Sequence, residues 1–332
     1  MNPLNGRILV TGGAGFIGSA LIWALNQRGC TDIIVTDVLG HDEKWRNLVP
    51  LKFADYVEAG EFRERIATKG SSFGKVTAAF HLGACSATTE KNASYLINNN
   101  YAYTKELALW ALEHDIRFVY ASSAATYGDG AQGMDDRDEN IARLRPLNMY
   151  GYSKHLFDLH AQRHSWLQRL VGVKYFNVYG PNEDHKGDMR SLVNKAYQQI
   201  QSAGRVGLFK SYHPDYKDGE QMRDFLYVKD AVEMTLHFAE AGLHANGLFN
   251  LGSGEANTWL TLTRAIFAAL GREPQIDFID MPEALKGKYQ NYTKAEIGKL
   301  RDSGYTRPMT PLTDAVKDYV QNALVPGRKL GE

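Results

Sequence analysis

Cysteine is scarce in this chain: Cys30 and Cys85 are the only two in 332 residues. That excludes a disulfide framework and a cysteine-built metal centre. Net charge is also missing, since 38 basic side chains balance 38 acidic ones, and no long-range field draws the chain to nucleic acid or to an anionic membrane. No apolar run approaches the roughly 20 residues that span a bilayer. The opening Met1-Asn2-Pro3-Leu4-Asn5-Gly6-Arg7 lacks the basic start, apolar core and cleavage site of a signal peptide. The expected location is the cytoplasm, with no membrane, nucleic acid or metal among the partners. Internal repeats, low-complexity tracts and long linkers are lacking as well, so the length fits one large α/β domain or a nucleotide domain with a smaller lobe.

What is present begins almost at the first residue. Ile8-Leu9-Val10-Thr11 reads as a buried strand, Gly12-Gly13-Ala14-Gly15 as a turn, and Phe16-Ile17-Gly18 as the start of an apolar helix face running to Arg28. Bulky side chains in such a turn would keep a pyrophosphate from the backbone N–H groups and the positive end of the helix dipole, which is why glycine recurs there. A second strand, Asp32 to Thr36, ends on Asp37, whose carboxylate could accept hydrogen bonds from ribose hydroxyls. Strand and helix patterns then alternate, with strands at 77–82, 117–122 and 171–176 and helices at 95–114 and from Tyr150. This order predicts a Rossmann-like, doubly wound parallel sheet over residues 1–180. Residues 181–332 are expected to form mainly a smaller mixed α/β substrate lobe, with some later segments returning to the sheet. Its pattern predicts helices at 189–202, 228–240 and 258–270, strands near 248–251 and 275–279, and a polar, insertion-like segment at 211–221. A ligand is expected between the lobes, beyond the carboxyl ends of the strands.

Tyr150 and Lys154 stand four residues apart, on one helix face. A phenol with a pKa near 10 serves as a base near neutrality only if a cation stabilises its phenolate. Lys154 and an oxidised nicotinamide would both do so. Upstream, a predicted strand ends in Ser122-Ser123, and Ser123 is the better placed to hydrogen-bond a reacting alcohol or carbonyl. Cys85, in the loop after the 77–82 strand, reads as a small buried thiol in preference to a nucleophile.

Glycine turn, strand-end serine and Tyr-x-x-x-Lys, in this order, resemble the extended short-chain dehydrogenases/reductases, the family of NAD-dependent epimerases and dehydratases. A further ordered set is similar to the ADP-L-glycero-D-manno-heptose 6-epimerases within that family: Ala121 to Gly128, Tyr150 to Lys154, Tyr175 to Pro181, His185-Lys186-Gly187, Arg223-Asp224-Phe225 and Leu285-Lys286-Gly287-Lys288-Tyr289-Gln290. The likeness covers essentially the whole chain. Its most discriminating parts are the His-Lys-Gly and Leu-Lys-Gly-x-Tyr-Gln elements.

The resemblance implies inversion at the exocyclic C6 of an ADP-heptose by transient oxidation to a ketone, with a tightly bound cofactor that is not consumed, in lipopolysaccharide inner-core synthesis. Hydride must return to the opposite face, so the ketone has to reorient, and one proton-transfer group is unlikely to serve both poses. By the resemblance, Tyr150 and Lys186 are the acid/base pair, Ser123 orients the C6 oxygen and Lys154 tunes Tyr150. An exposed loop cation, or one touching only cofactor or diphosphate, is the alternative for Lys186. Gly12, Gly15, Phe16, Ile17 and Gly18 would hold the pyrophosphate; Asp37, Val38 and Lys44 the adenosine ribose; Gly83, Ala84, Cys85, Ser86 and Asn99 the middle of the cofactor. Tyr150, Lys154, Val178 and Lys186 complete the cofactor set. Ser123, Asn177, Asp188 and Lys195 would face the sugar, and Phe209, Lys210, Ser211, Tyr212, Arg223 and Tyr289 the substrate's ADP. Arg223 suits a diphosphate through its planar fork of donors, a salt bridge to Asp224 being the alternative.

Asp188 stands where the family commonly has serine, and Lys195 where it has histidine. Asp37 favours the free ribose of NAD, whereas Lys44, with His41 and Arg46 nearby, could offset its repulsion of a 2′-phosphate. A second lysine of the family is Ala59 here, with Lys52 as a substitute. NADP is the expected cofactor, NAD the alternative. The resemblance also implies a homo-oligomer, a pentamer in many members. Ala124 and Ala125 occupy the positions where a 4,6-dehydratase needs an acidic pair, which leaves a UDP-hexose 4-epimerase as the nearer rival. A cofactor-sensing binding protein has no need of a tuned Tyr-Lys pair.

Overall fold

The computed structural model describes residues 2–68, 73–240, 244–286 and 289–332. Seven parallel strands form its central sheet: β1 (Arg7–Thr11), β2 (Ile33–Asp37), β3 (Asp55–Glu58), β4 (Val76–His81), β5 (Arg117–Ser123), β6 (Val171–Tyr175) and, from much later in the chain, Gly247–Leu251. The last of these pairs with β6 and closes one edge, β3 closes the other, and β1 lies between β4 and β2. Strand order reverses at β1, which leaves a crevice beyond its carboxyl end.

Helices cover both faces, as an all-parallel sheet requires. Ile8 and Val10 of β1 pack with Leu21 and Leu25 of α1 (Phe16–Gln27) and with Val232 and Leu236 of the helix Val228–Glu240. Leu9, from the same strand, points the other way into a core shared with Phe62 of α2 (Ala59–Ala67), Leu107 and Phe157. Period-2 alternation therefore feeds two separate cores, which explains why the strands read as continuous apolar runs.

The expected helix at 95–114 is three pieces: α3 (Ala93–Leu96), a π-helical stretch over 97–102 and α4 (Tyr103–Glu113). Three consecutive asparagines, Asn98 to Asn100, widen the turn, and Asn100 uses its side chain to hold Cys85 on both N–H and C=O. The helix α5 (Met149–Arg163), which carries Tyr150 and Lys154, starts at Asn148, whose side chain caps the Gly151 N–H at 2.8 Å.

Beyond β6 the chain forms a lobe from small pairs. These are β7 (Asn177–Tyr179) with β10 (Phe225–Tyr227), β8 (Val206–Phe209) with Ile276–Ile279, and β9 (Met222–Arg223) with Asn257–Thr258. The helix predicted from residue 189 begins later, as α6 (Leu192–Ala203), because Ser191 caps it and 184–189 form 3₁₀ turns. Residues 228–240 and 247–251 rejoin the sheet layer. Among the described residues, no helix is long and apolar enough to cross a membrane, and no group of histidine, cysteine or acidic side chains is arranged to hold a metal ion.

Candidate active site

The crevice opens into a cavity of about 890 Å³ that runs from the glycine turn to the second lobe. At its floor the turn after β1 and the loop after β4 nearly touch. A Cβ on Gly12, whose φ is +66°, would sit 2.6 Å from the Gly83 backbone, and one on Gly18 would sit 2.1 Å from the Gly12 carbonyl oxygen. Side chains are sterically excluded there, so bare backbone N–H groups at the start of α1 face the cavity and fit a pyrophosphate.

Asp37 lines the cavity beside the turn and is engaged by the protein itself. Its Oδ2 accepts from the N–H groups of Ala14 (2.9 Å) and Gly15 (3.2 Å), while Oδ1 accepts from Val38 N–H (2.7 Å) and Lys44 Nζ (3.1 Å). Those four donors occupy the roughly four acceptor positions of a carboxylate. Asp37 thus holds the turn in shape, and of its donors only the long, flexible Lys44 can yield to a ribose or a phosphate.

A buried relay ties the two loops together. Gly83 N–H donates to Thr11 Oγ1 at 3.1 Å, Thr11 contacts His81 Nδ1 at 2.7 Å, and His81 Nε2 contacts Thr104 Oγ1 at 2.9 Å. The Thr104 hydroxyl donates to the Asn100 carbonyl, so it must accept from His81. That places the imidazole proton on Nε2 and makes Thr11 the donor to Nδ1. Burial holds His81 well below the ordinary imidazole range, hence neutral, as the relay requires. Nothing in the local sequence around His81 signalled this.

Ser123, at the end of β5, and Tyr150, at the start of α5, both line the cavity, with their side chains close enough to interact. Burial raises the Tyr150 phenol, and the serine contact opposes that rise. Lys154, one turn on, donates to the Ala121 carbonyl at 2.9 Å and is pushed down to about 8 by burial. A phenol held up ionises near neutrality only with a cation beside it, and Lys154 one turn on is placed to be that cation. Cys85 is half-buried rather than buried: it lines the cavity, because Asn100 grips only its backbone.

Lys186 comes from the loop after β7 and lies with Nζ 5.2 Å from the centre of the Phe16 ring. It lines the same cavity as Tyr150, and burial lowers its ammonium, against the opposing charge of Glu183. The exposed-loop alternative is thereby set aside. Phe16 to Gly18, Gly83 to Ser86, Lys44, Asn177, Val178, Lys195, Phe209 and Tyr289 also line the cavity.

Several expected residues lie elsewhere. Val38 is exposed and contributes only its N–H, to Asp37. Asn99 donates to Asn100 and does not line the cavity; the π-helical stretch turns Asn100, not Asn99, onto the cofactor loop. Asp188 is exposed and offers its carbonyl to Lys195. Lys210 and Tyr212 both reach outward to Asp280, and the Ser211 N–H is taken by Asp218. Phe209 alone of that quartet faces the cavity, because β8 alternates and the chain leaves the strand after it. His41, Arg46 and Lys52 are off the cavity as well, and Asp42 lies on it.

Arg223 is buried with its guanidinium 5.0 Å from the Tyr289 ring centre and 5.6 Å from that of Trp259, and both rings line the cavity. Trp259 Nε1 donates to the Tyr289 hydroxyl at 2.9 Å, which joins the two rings. The alternative of a salt bridge to Asp224 fails. Asp224 is engaged by the N–H groups of Ser253, Gly254 and Ala295 and by the Ser253 hydroxyl. Trp259 was missed at the level of sequence because nothing local links it to Arg223. Of the Leu285 to Gln290 motif, residues 287 and 288 lie outside the described residues, and Gln290 donates to the Gly128 carbonyl at 2.7 Å.

Residues 8–252 match the model of the NAD dependent epimerase/dehydratase family. A protein of Nitratidesulfovibrio vulgaris named ADP-L-glycero-D-manno-heptose-6-epimerase is 52% identical over 316 residues, which are 95% of this chain and 97% of that one. One of the same name from Fusobacterium nucleatum is 44% identical over 326 residues, 96% and 98% of the two chains. A crystal structure of the Helicobacter pylori protein of that name superposes with a TM-score of 0.79 at 27% identity, covering 96% of this chain and 97% of the other. The chain belongs to the NAD dependent epimerase/dehydratase family and, within it, to the group of the ADP-L-glycero-D-manno-heptose-6-epimerases.

Proposed function

We propose that this chain inverts C6 of ADP-D-glycero-D-manno-heptose to give the L-glycero epimer, a precursor of the lipopolysaccharide inner core, using a retained nicotinamide cofactor. The observation that carries the reading is that Tyr150 and Lys186, two proton-transfer groups from separate elements, line one cavity. A simple dehydrogenase needs one such group; returning hydride to the other face of a reoriented ketone calls for two.

The nicotinamide supplies the chemistry of accepting a hydride from C6 and giving it back. The protein's own groups handle the proton. Ser123 hydrogen-bonds the C6 oxygen, Tyr150 as phenolate takes the hydroxyl proton as the C6–H bond breaks, and Lys154 stabilises that phenolate. The ketone turns over in the cavity, and Lys186 as ammonium protonates the oxygen of the opposite epimer. Solvent then returns Tyr150 and Lys186 to their starting protonation states, so nothing is consumed. Arg223, buried beside the cavity-lining rings of Trp259 and Tyr289, is the cation assigned to the diphosphate of the substrate.

We assign NADP as the cofactor. Asp37 has no unused acceptor position and already carries the Lys44 ammonium, so a 2′-phosphate meets a lysine rather than a bare carboxylate. Lys44→Met should weaken NADP roughly ten- to hundredfold, the worth of a charge-assisted bond, and NAD by much less. Equal losses for both, measured by fluorescence titration of stripped protein, would return the assignment to NAD.

The test of the reaction is proton NMR of ADP-D-glycero-D-manno-heptose with purified protein and no added cofactor. Approach to a fixed epimer mixture supports the reading. No change after NADP and then NAD are supplied would shift it to another nucleotide-sugar, a UDP-hexose first.

A further inference from the structure

Among the described residues the Lys186 side chain has no hydrogen-bond partner; its backbone N–H donates to the Glu183 carbonyl at 3.0 Å, and the loop that carries it is fastened. Glu183 is fully buried and receives the Ser191 N–H and hydroxyl, both at 2.6 Å, and the Tyr319 hydroxyl at 3.0 Å. Asn182, buried with φ +78°, donates to Ser19 of α1 at 3.0 Å. Asn47 donates to the Asn182 carbonyl and to that of Ala14 in the glycine turn. Asn194 of α6 donates to Asp184 at 2.8 Å, and two further ties come from residues 329 and 330. Leu330 N–H donates to Asn182 Oδ1 at 3.0 Å, the Leu330 side chain is 7% exposed within the main core, and Lys329 forms an ion pair with Asp184. Gly331, at φ +101°, turns the segment against Pro50, where a Cβ would come within 3.2 Å of the proline ring.

Residues flanking Lys186 on the N-terminal side are thus held by a segment more than 130 residues away in sequence. That segment does not line the cavity. Its two polar contacts, to Asn182 and Asp184, both fall within four residues of the candidate base.

We propose that Lys329 and Leu330 are positioning residues for Lys186: the 329–332 segment is a strap that keeps the lysine loop docked on α1, with Lys186 over Phe16. The proposal rests on the reading of Lys186 as the second proton-transfer group. A side chain without a directional bond of its own depends on its backbone for placement, and displacement by about an ångström is enough to cost up to a hundredfold in rate.

The experiment uses the full chain carrying Lys329→Met together with Leu330→Ala, beside Asp184→Asn as a milder cut of the same strap and Lys329→Arg as the conservative rescue. The expected result for the double variant is a fall in kcat of about ten- to hundredfold, with KM and bound cofactor within about twofold. Asp184→Asn should fall less, and Lys329→Arg should match the parent. A second readout is independent of activity: reductive ¹³C-methylation of lysines, with the Lys186 signal assigned by its loss in Lys186→Arg. That signal should move in the double variant and in Asp184→Asn. An unchanged kcat with an unmoved signal overturns the strap. A moved signal with unchanged kcat, alongside a Lys186→Met variant that epimerises normally, instead overturns the role of Lys186 and leaves the docking intact. If the double variant fails to fold, Asp184→Asn decides by the same two readings.

Discussion

Tyr150→Phe and Lys186→Met should each lower epimerisation by about 10²- to 10⁴-fold, the range in which positioned proton transfer contributes, while leaving cofactor bound to the purified protein. Tyr150 sits against Ser123 with its phenol raised by burial, and Lys186 sits over Phe16 with its ammonium lowered by burial. Burial disfavours the charged form of each group, so Tyr150 needs the Lys154 ammonium beside it to act as phenolate and Lys186 the charge of Glu183 to act as ammonium. Replacing the two together should cost little more than replacing one, because a turnover fails when either proton transfer fails. NMR of the epimer ratio and absorbance of the bound cofactor measure both quantities. Normal turnover by either single variant would sink the two-group scheme. Lys154→Met differs in its expected result: it loses rate and cofactor together, since the lysine both stabilises the phenolate and is placed to hold the nicotinamide ribose. NADP binding equal to the parent's would remove the ribose role.

Lys174→Met should destabilise the fold by about 3–5 kcal/mol, the cost of leaving a buried charge unpaired. Lys174 and Asp158 are 1% and 0% exposed and meet at 2.7 Å. Asp158 also receives the Tyr120 and Ser122 hydroxyls, at 2.9 and 2.7 Å, and Lys174 donates to Thr126 Oγ1 at 2.7 Å over the Tyr127 ring. This cluster joins β5, α5 and β6 directly behind Ser123, and Lys154 lies one turn before Asp158 on α5. Urea unfolding followed by circular dichroism gives the loss. Removing both charges, as Lys174→Met with Asp158→Asn, should recover much of it, because the desolvated carboxylate goes too. If the double variant is as unstable as the single one, shape rather than charge holds that junction.

Much of the fold is legible along the chain because its causes are local. Apolar runs bounded by turn residues mark the strands at 7–11, 33–37, 76–81, 117–123 and 171–175, and glycine at 12 and 18 marks a close backbone approach that no side chain permits. Serine, tyrosine and lysine at 123, 150 and 154 announce themselves by spacing on a strand end and a helix face. The short β3 escapes that reading because it is an edge strand with a single buried residue.

The amino-acid sequence by itself determined the doubly wound sheet, the glycine cradle and the identity of the candidate reacting groups, since these depend on backbone conformation and side-chain chemistry over a few residues. Only the tertiary structure decided what each group does with its neighbours. Asp37 spends its carboxylate on the turn, Asn100 and not Asn99 reaches the loop after β4, Arg223 lies against Trp259 and Tyr289, and Lys186 is half-buried over Phe16. Those partners lie between fifteen and 170 positions apart in the chain. Burial and hydrogen-bond competition, which set charge state and occupancy, exist only once distant elements have packed together.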